Sequence, residues 1–285
     1  MPELPEVETI IGDLRKRILN IKILDIEVLL PRIVKNTKVN FKKKLINNRF
    51  VNIERIGKLI VVSLEKNGYL LVHLKMTGQL VYQKGNKIIA GGHSEGNVRV
   101  TLPNKWTRVV FTFQDKSRLY FNDLRTFGYL RIVNSKELEI VKSKFGVEPL
   151  GIELTLNLLK KIIKPRKTSI KALLLNQRII AGLGNIYVDE ILFVAKVRPT
   201  RVANSLKAAE IESIYKAIRP ILKKAIKARG TTFNNFVDAN GKIGNFVSKL
   251  KVYGRAGKKC KKCGSEIEKI KVAGRGTHFC AQCQI

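Results

Sequence analysis

The sequence has no run of about 18 consecutive apolar residues, the length needed to cross a membrane as a helix, and no signal-peptide pattern. Cysteine is absent from the first 259 residues, which excludes a disulfide framework spread over the chain. The 45% apolar fraction still supports hydrophobic cores, and 285 residues are enough for two domains. We therefore expect a globular, intracellular protein without membrane contact.

Acidic residues are scarce. The chain has 22 Asp and Glu against 55 Lys and Arg, which gives a formal net charge of +33. Residues 151–285 hold 28 basic and only 8 acidic residues. A lysine-rich genome accounts for part of the excess, but it does not readily explain why acids are depleted in the second half. The charge balance predicts a polyanionic partner, of which nucleic acid is the commonest.

Hydrophobic periodicity separates the chain into two parts. An amphipathic helix is expected over 5–19, followed by short apolar runs between turn residues that predict an antiparallel sandwich or barrel. A helix at 135–145 precedes a mainly helical second half, in which 231–250 has no clear period and is interpreted as a mobile loop. The predicted strands are 21–30, 49–55, 59–64, 69–74, 79–82, 98–102, 108–113, 118–122 and 129–133, and the later helices are 155–163, 169–176, 185–197 and 205–228.

The four cysteines form two C-x2-C pairs, Cys260/Cys263 and Cys280/Cys283, separated by 16 residues. This spacing is typical of a structural zinc site, in which four thiolates complete a tetrahedron and leave no open position. Free buried thiols or a redox pair are the alternatives, and two pairs without a βαβ context disfavour both. His278 could compete as a ligand, although the four cysteines already complete the shell. One structural Zn²⁺ is expected.

The amino terminus reads MPELPEVETI. Initiator Met is removed when the next residue is small, so the mature chain would begin with the secondary amine of Pro2. A free α-amino group has a pKa near 7.7–8.0, so part of it is unprotonated and nucleophilic at neutral pH. The neighbouring Glu3 offers a carboxyl for proton transfer. Many chains begin Met-Pro, so this pattern alone is a weak signal.

Five motifs resemble bacterial formamidopyrimidine-DNA glycosylases nearly end to end and in the same order. They are PELPEVET at the terminus, HLKMTGQL at 73–80, NDLRTFGYL at 122–130, AGLGNIYVDE at 181–190 and KVAGRGTHFCAQCQ near the end. The resemblance implies an α+β multidomain fold: an N-terminal antiparallel β-sandwich with an N-terminal helix, a helix–two-turn–helix domain and a C-terminal zinc-finger β-hairpin. The expected limits are 1–134, a linker at 135–151, 152–250 with a lesion loop at 231–250, and 251–285.

The same resemblance implies excision of oxidised purines from damaged double-stranded DNA, followed by strand cleavage through β,δ-elimination. It implies that Pro2 is the Schiff-base nucleophile and that Glu3 is the acid that assists opening of the deoxyribose. It also implies that Lys58 is a proton donor in β-elimination and that Arg275, at a hairpin tip, grips phosphate for δ-elimination. A monomer in the bacterial cytoplasm, associated with the nucleoid, is expected.

Further positions match DNA contacts of that family. Met76, Arg125 and Phe127 match the residues that fill the gap left by a flipped nucleotide. From the residues alone, Met76 would be core filler, His73 an ordinary strand histidine, and the basic positions a solvated face. The remaining expected DNA contacts are His73, Trp106, Arg166, Lys167, Lys171 and Asn185.

Some positions depart from the family pattern. Trp106 stands where many members have a histidine that contacts DNA, Ala172 replaces a common proline, and Thr77 occupies a variable position. Two other interpretations stay open: an endonuclease VIII-type glycosylase for oxidised pyrimidines, and a non-catalytic zinc-ribbon DNA-binding protein. The intact PELPEVET opening disfavours the first, and the presence of every catalytic residue disfavours the second.

Overall fold

A computed structural model describes residues 1–66, 68–92, 101–231 and 245–285. The chain divides into two compact units, one of Met1–Ser143 with Ala228–Asn245 and the other of Lys144–Lys227 with Phe246–Ile285. The second segment of the first unit had been expected in the helical domain. Most of the predicted strand 98–102, and residues 232–244 of the predicted lesion loop, lie outside the described residues.

The first unit begins with helix α1 (Leu4–Ile18), whose apolar residues recur every three or four positions and are buried. Two antiparallel sheets follow, and residues from both sheets and from α1 share one hydrophobic core, as the sandwich prediction requires. The other α-helices are α2 (Lys38–Leu45) and α3 (Ser135–Lys142), and the strands are β1 (Ile23–Val28), β2 (Phe50–Ile56), β3 (Leu59–Leu64), β4 (Tyr69–His73), β5 (Gly78–Lys84), β6 (Lys87–Gly92), β7 (Thr107–Phe113), β8 (Arg118–Asp123) and β9 (Tyr129–Val133). The five-stranded sheet has the order β1-β7-β8-β5-β6, and the four-stranded sheet has the order β2-β3-β4-β9.

The second unit contains four α-helices and a β-hairpin. Side chains of Thr155 and Ser169 cap the first two of these helices by accepting backbone N–H groups, as expected for residues at helix starts. The longest helix buries one face of isoleucine, leucine and alanine and packs against two of the others. The elements are α4 (Leu156–Ile163), α5 (Ile170–Leu175), α6 (Asn185–Val194), α7 (Ala208–Lys227), β10 (Glu268–Val272) and β11 (Arg275–Phe279).

Two elements were not expected from the sequence. Helix α2 has only two buried residues, Phe41 and Leu45, so its sequence shows little helical period. Strand β6 ends in two glycines, and two consecutive glycines are a sequence pattern that predicts a turn. Gly91 lies under α1, and a Cβ there would come within 2.7 Å of Ile10 Cγ1, so the close approach of α1 requires a glycine.

Candidate active site, DNA-binding loops and zinc site

The first residues are held against the start of α1. Pro2 and Glu3 are both buried, and Glu3 is only 3% exposed. Glu3 is the residue preceding α1, and its backbone N–H donates to Glu6 Oε2 at 2.9 Å. The helix itself therefore fixes the direction in which the chain terminus runs.

Glu6 has a second set of partners, in a distant part of the sequence. Its Oε1 accepts the backbone N–H of Thr231 at 2.8 Å and the Thr231 hydroxyl at 3.0 Å. Gly230 precedes this contact with φ +82°, and a Cβ there would come within 2.8 Å of the same oxygen. Both the backbone conformation and the space thus require glycine. One carboxylate joins Glu3 to the residue that immediately precedes 232–244.

Lys58 lies in the tight turn between β2 and β3, after Gly57 with φ +57°. It is 6% exposed, which is unusual for a lysine. The turn is tied to α1, because Arg55 pairs with Glu8 at 2.9 Å and donates to the Gly57 carbonyl at 3.2 Å. Pro2, Glu3 and Lys58 therefore lie on elements of one domain that contact each other.

His73 ends β4 as a neutral imidazole. Its Nδ1 accepts the backbone N–H of Lys75 at 3.0 Å, so the ring proton belongs on Nε2. Burial, assisted by the positive charges of Lys75 and Lys58, lowers the pKa of His73 to about 3. At neutral pH this side chain can donate one hydrogen bond, from Nε2, but carries no charge.

Two loops carry the residues expected to enter the duplex. Phe127 is 60% exposed, Arg125 is exposed, and the side chain of Met76 is partly exposed and outside the buried cores. A glycine closes each loop: a Cβ at Gly78 would lie 2.4 Å from the Leu74 carbonyl oxygen, and one at Gly128 would lie 2.9 Å from the His73 carbonyl oxygen. An exposed aromatic ring on a tightly closed loop is suited to stacking on a base.

Trp106 lies in the segment that leads into β7. Its ring is partly exposed and lies 5.2 Å from the amino group of Lys105. The backbone N–H of Trp106 donates to Asn104 Oδ1, and its carbonyl accepts the N–H of Asp123. Trp106 is therefore adjacent to the loop that carries Arg125 and Phe127.

In the second unit, Arg275 is exposed at the start of β11. The two residues before it, Ala273 and Gly274, have φ of 51° and 72°, and Val272 pairs with Arg275 across the turn. This is the two-residue hairpin turn that matches the strand twist. The predicted hairpin tip is present, and it holds the guanidinium away from the buried part of the unit.

Lys171 differs from the exposed phosphate contact that the motif suggested. It is 0% exposed, and its Nζ lies 2.5 Å from Oδ1 of Asp189, which is also 0% exposed. The other Asp189 oxygen accepts the His278 N–H at 2.9 Å. Asn185, expected to contact phosphate, donates its side-chain N–H to the Gly276 carbonyl at 2.9 Å. Lys171 and Asn185 thus have partners within the unit, whereas Arg166 and Lys167 are exposed between α4 and α5.

Glu190, next to Asp189, anchors the segment that leads into the cysteines. Its carboxylate accepts the backbone N–H groups of Lys251, Val252 and Tyr253 at 2.9–3.0 Å. Burial raises the pKa of the Glu190 carboxyl, and these three donors act in the opposite direction. Neither acid was singled out from the sequence, since the motif VDE carries no sign of where its carboxylates point.

The four cysteine sulfurs, from Cys260, Cys263, Cys280 and Cys283, lie within 4.8 Å of one another. Sulfurs about 2.3 Å from a shared ion would satisfy this spacing, and four soft donors suit one structural zinc. His278 is not part of this group, because its ring packs edge-on against Tyr253 and its Nδ1 lies 3.5 Å from Asp189. The question of His278 as a ligand is thereby answered.

Comparison with known families covers almost the whole chain. Residues 1–130 match the formamidopyrimidine-DNA glycosylase N-terminal domain, and residues 145–237 match the H2TH domain of the same family. The chain belongs to the formamidopyrimidine-DNA glycosylase family. Residues 257–285 match a zinc finger found in FPG and IleRS.

Relatives and solved structures of this family align over nearly their full length. The formamidopyrimidine-DNA glycosylase of Pelotomaculum thermopropionicum is 40% identical over 93% of this chain and 92% of its own, and that of Enterococcus faecalis is 38% identical over 100% and 97%. Lactococcus lactis Fpg with abasic-site DNA superimposes with a TM-score of 0.88, at 36% identity and 99% coverage of both chains. A variant of that protein bound to Fapy-dG DNA gives 0.88 at 35% identity and the same coverage.

Within residues 1–66, 68–92, 101–231 and 245–285, no helix is both long and apolar enough to cross a bilayer.

Proposed function

We propose that this chain is a bifunctional DNA glycosylase and AP lyase that excises oxidised purines, 8-oxoguanine and formamidopyrimidines, from duplex DNA. The observation that carries the proposal is the burial of Pro2 and Glu3 together at the start of α1, in a family whose L. lactis member binds Fapy-dG DNA. After loss of Met1, Pro2 presents a secondary amine beside a carboxyl.

In the proposed reaction the Pro2 nitrogen attacks C1′ of the damaged nucleotide, and the oxidised base leaves with the glycosidic electron pair. Glu3 protonates the ring oxygen, the sugar opens, and an iminium links Pro2 to the opened sugar. A C2′ proton is then lost and the 3′ phosphate departs in β-elimination. A second elimination expels the 5′ phosphate.

Cationic groups are needed wherever phosphate leaves. Lys58 is assigned the proton donor of β-elimination, and its near-complete burial favours a defined position over a solvated one. Arg275 is assigned the phosphate contact of δ-elimination, which its exposure at the hairpin turn permits. Arg166 and Lys167 are exposed and are assigned phosphate contacts that carry no sequence information. His73 is assigned a hydrogen bond to phosphate from Nε2.

Lys171 and Asn185 are assigned a different contribution to DNA binding. Both contact the Gly276 carbonyl, Lys171 Nζ at 3.4 Å and Asn185 Nδ2 at 2.9 Å, so they hold the hairpin that carries Arg275. Trp106 stacks on the nucleic acid from its position beside the Arg125 loop. Met76, Arg125 and Phe127 fill the space that the flipped nucleotide vacates.

The decisive test is covalent trapping. Intact mass should show a chain that starts at Pro2, and borohydride should reduce a covalent adduct between that chain and duplex DNA with 8-oxoguanine opposite cytosine. Glu3→Gln should abolish adduct formation from this substrate while DNA affinity stays within about twofold, because the amide cannot donate the proton. Glu27→Gln, an exposed carboxylate on β1, is the matched control and should trap like the natural sequence.

The outcomes separate the competing assignments. Cleavage of 8-oxoguanine DNA without any trapped adduct would rule out the Schiff base. Faster trapping on an oxidised pyrimidine than on either purine lesion would assign the endonuclease VIII-type activity instead. DNA binding with neither trapping nor cleavage would leave a non-catalytic zinc-ribbon protein.

A further inference from the structure

A single buried carboxylate connects the two DNA-facing loops of the first unit. Asp123 ends β8 and is 0% exposed. Its Oδ1 accepts the hydroxyl of Thr77 at 2.5 Å, and its Oδ2 accepts the backbone N–H of Gly128 at 2.7 Å. Thr77 follows Met76 and Gly128 follows Phe127, so each oxygen holds one loop at the residue after its exposed side chain.

The hydroxyl of Thr77 also bonds directly to the loop that carries Arg125 and Phe127. Its hydroxyl donates to Asp123 and also accepts the backbone N–H of Arg125 at 2.9 Å. One hydroxyl therefore uses its donor and one acceptor position to join the two loops. This arrangement ties the variable position Thr77 to loop geometry rather than to a direct contact with the damaged base.

The backbone around these contacts needs such support. Lys75 has φ 50° and Thr126 has φ 56°, and each precedes the side chain expected to enter DNA. Left-handed conformations of residues other than glycine are unfavourable and persist where surrounding contacts over-determine them. The contacts of Asp123 supply that determination, because they fix Thr77 and Gly128, each of which lies two residues after a strained residue.

We propose that Asp123 and Thr77 are positioning residues that hold Met76, Arg125 and Phe127 as one preformed wedge. This inference rests on the proposed function, since a wedge matters only if the duplex is entered. Preorganisation lowers the ordering cost of binding, so the wedge would stabilise the flipped state more than a flexible pair of loops could. Neither residue touches the reacting atoms in this assignment.

Thr77→Val tests the proposal, because it keeps the shape of the side chain and removes both hydrogen bonds. Backbone amide exchange at Arg125 should become faster. Single-turnover excision of 8-oxoguanine from duplex DNA should fall about tenfold or more. Cleavage at a pre-formed abasic site, where no base is expelled, should fall much less. Thr77→Ser keeps the hydroxyl and should restore slow exchange and excision within about twofold of the natural sequence.

Ser117→Ala is the matched control. Ser117 donates its hydroxyl to Asp115 Oδ1 at 2.5 Å, the same kind of bond, in the turn at the opposite end of β8. Its loss should lower the melting temperature without changing excision per folded molecule. Thr77→Ala serves as a second probe if Thr77→Val does not fold.

A double-mutant cycle with Phe127→Ala gives the sharpest outcome. If Thr77 acts through the wedge, Thr77→Val should cost excision little once Phe127 is removed. Additive losses would overturn the proposal, as would unchanged Arg125 exchange or a Thr77→Val enzyme that behaves like Ser117→Ala. Absence of excision and trapping in the natural protein would instead refute the proposed function. The exchange rate of the Arg125 amide would then decide whether Asp123 and Thr77 position the two loops.

Discussion

Asp123 in the sandwich and Asp189 in the helical unit hold the segments proposed to bind DNA through different kinds of partner. Both are 0% exposed. Asp123 is satisfied by a hydroxyl and a backbone amide, whereas Asp189 contacts the ammonium of Lys171 and one backbone amide. The first arrangement is made of hydrogen bonds from uncharged donors, and the second is a buried ion pair. They should therefore fail differently: losing a hydrogen-bonded partner costs about 1–3 kcal/mol, and breaking a buried ion pair costs about 3–5 kcal/mol.

Zinc removal should produce the largest difference in stability between the two regions. The free energy of binding a structural zinc is largely folding free energy of its module, so chelation should unfold 251–285 and displace Arg275. DNA affinity and strand cleavage should both fall, while the sandwich that contains Asp123 keeps its amide protection. Metal analysis and hydrogen exchange on the same sample check this. Fully active protein with no zinc would contradict it.

Breaking the ion pair should have the next largest effect. Asp189→Asn leaves the Lys171 charge buried without its carboxylate, so the free energy of unfolding should fall by about 3–5 kcal/mol. The double change Asp189→Leu with Lys171→Met removes both charges and should recover most of that loss. Chemical denaturation measures both. If the double variant is less stable than Asp189→Asn, the pair is not the source of the effect.

The double variant also sharpens the comparison with Asp123. Strand cleavage should stay impaired even where stability recovers, because the hairpin contacts of Asp189 and Lys171 are gone. Full recovery of cleavage would show that the pair contributes stability alone and does not position Arg275.

The smallest effect is expected when the pH is lowered from 6.5 to 4.5. The pKa of His73 is lowered to about 3 from an unfolded value near 6.5, so the unfolded chain binds the extra proton between these values. The stability associated with the neutral ring is fully present above pH 6.5 and is lost as pH falls towards 3, at no more than about 1.4 kcal/mol per pH unit.

His73→Gln provides the measurement. The melting-temperature difference between the natural protein and this variant should be largest above pH 6.5 and shrink between pH 6.5 and 4.5. A difference that stays constant over this range would mean that His73 does not titrate as described.

Much of the fold follows from local sequence pattern. The expected limits of β3 and β9 agree with the structure, since each is an apolar run between clear turns. Helix α2 and strand β6 did not follow, because one has too few buried residues and the other owes its glycines to the approach of α1. The C-x2-C spacing predicted the sulfur cluster, because a tight turn between the two cysteines of a pair brings their sulfurs to one point.

Sequence motifs predicted the exposed residues of the candidate site but not the buried groups that position them. The exposed residues Arg125, Phe127 and Arg275 were found in motifs. The groups that hold them were not, because their partners are distant in sequence: Asp123 bonds Thr77 46 residues away, and Lys171 pairs with Asp189 18 residues away. From sequence, a lysine in a basic chain is readily interpreted as a phosphate contact. The structure shows that Lys171 instead pairs with the buried carboxylate of Asp189.

Pro2 is buried, although Met1 before it is 37% exposed. An aminopeptidase must bind the residues on both sides of the bond that it hydrolyses, and a buried Pro2 is not accessible to it. The proposed function therefore requires that Met1 be removed from the nascent chain, before α1 docks on the sheets. Under that proposal, molecules that fold before processing would keep Met1 and would lack the free secondary amine of Pro2.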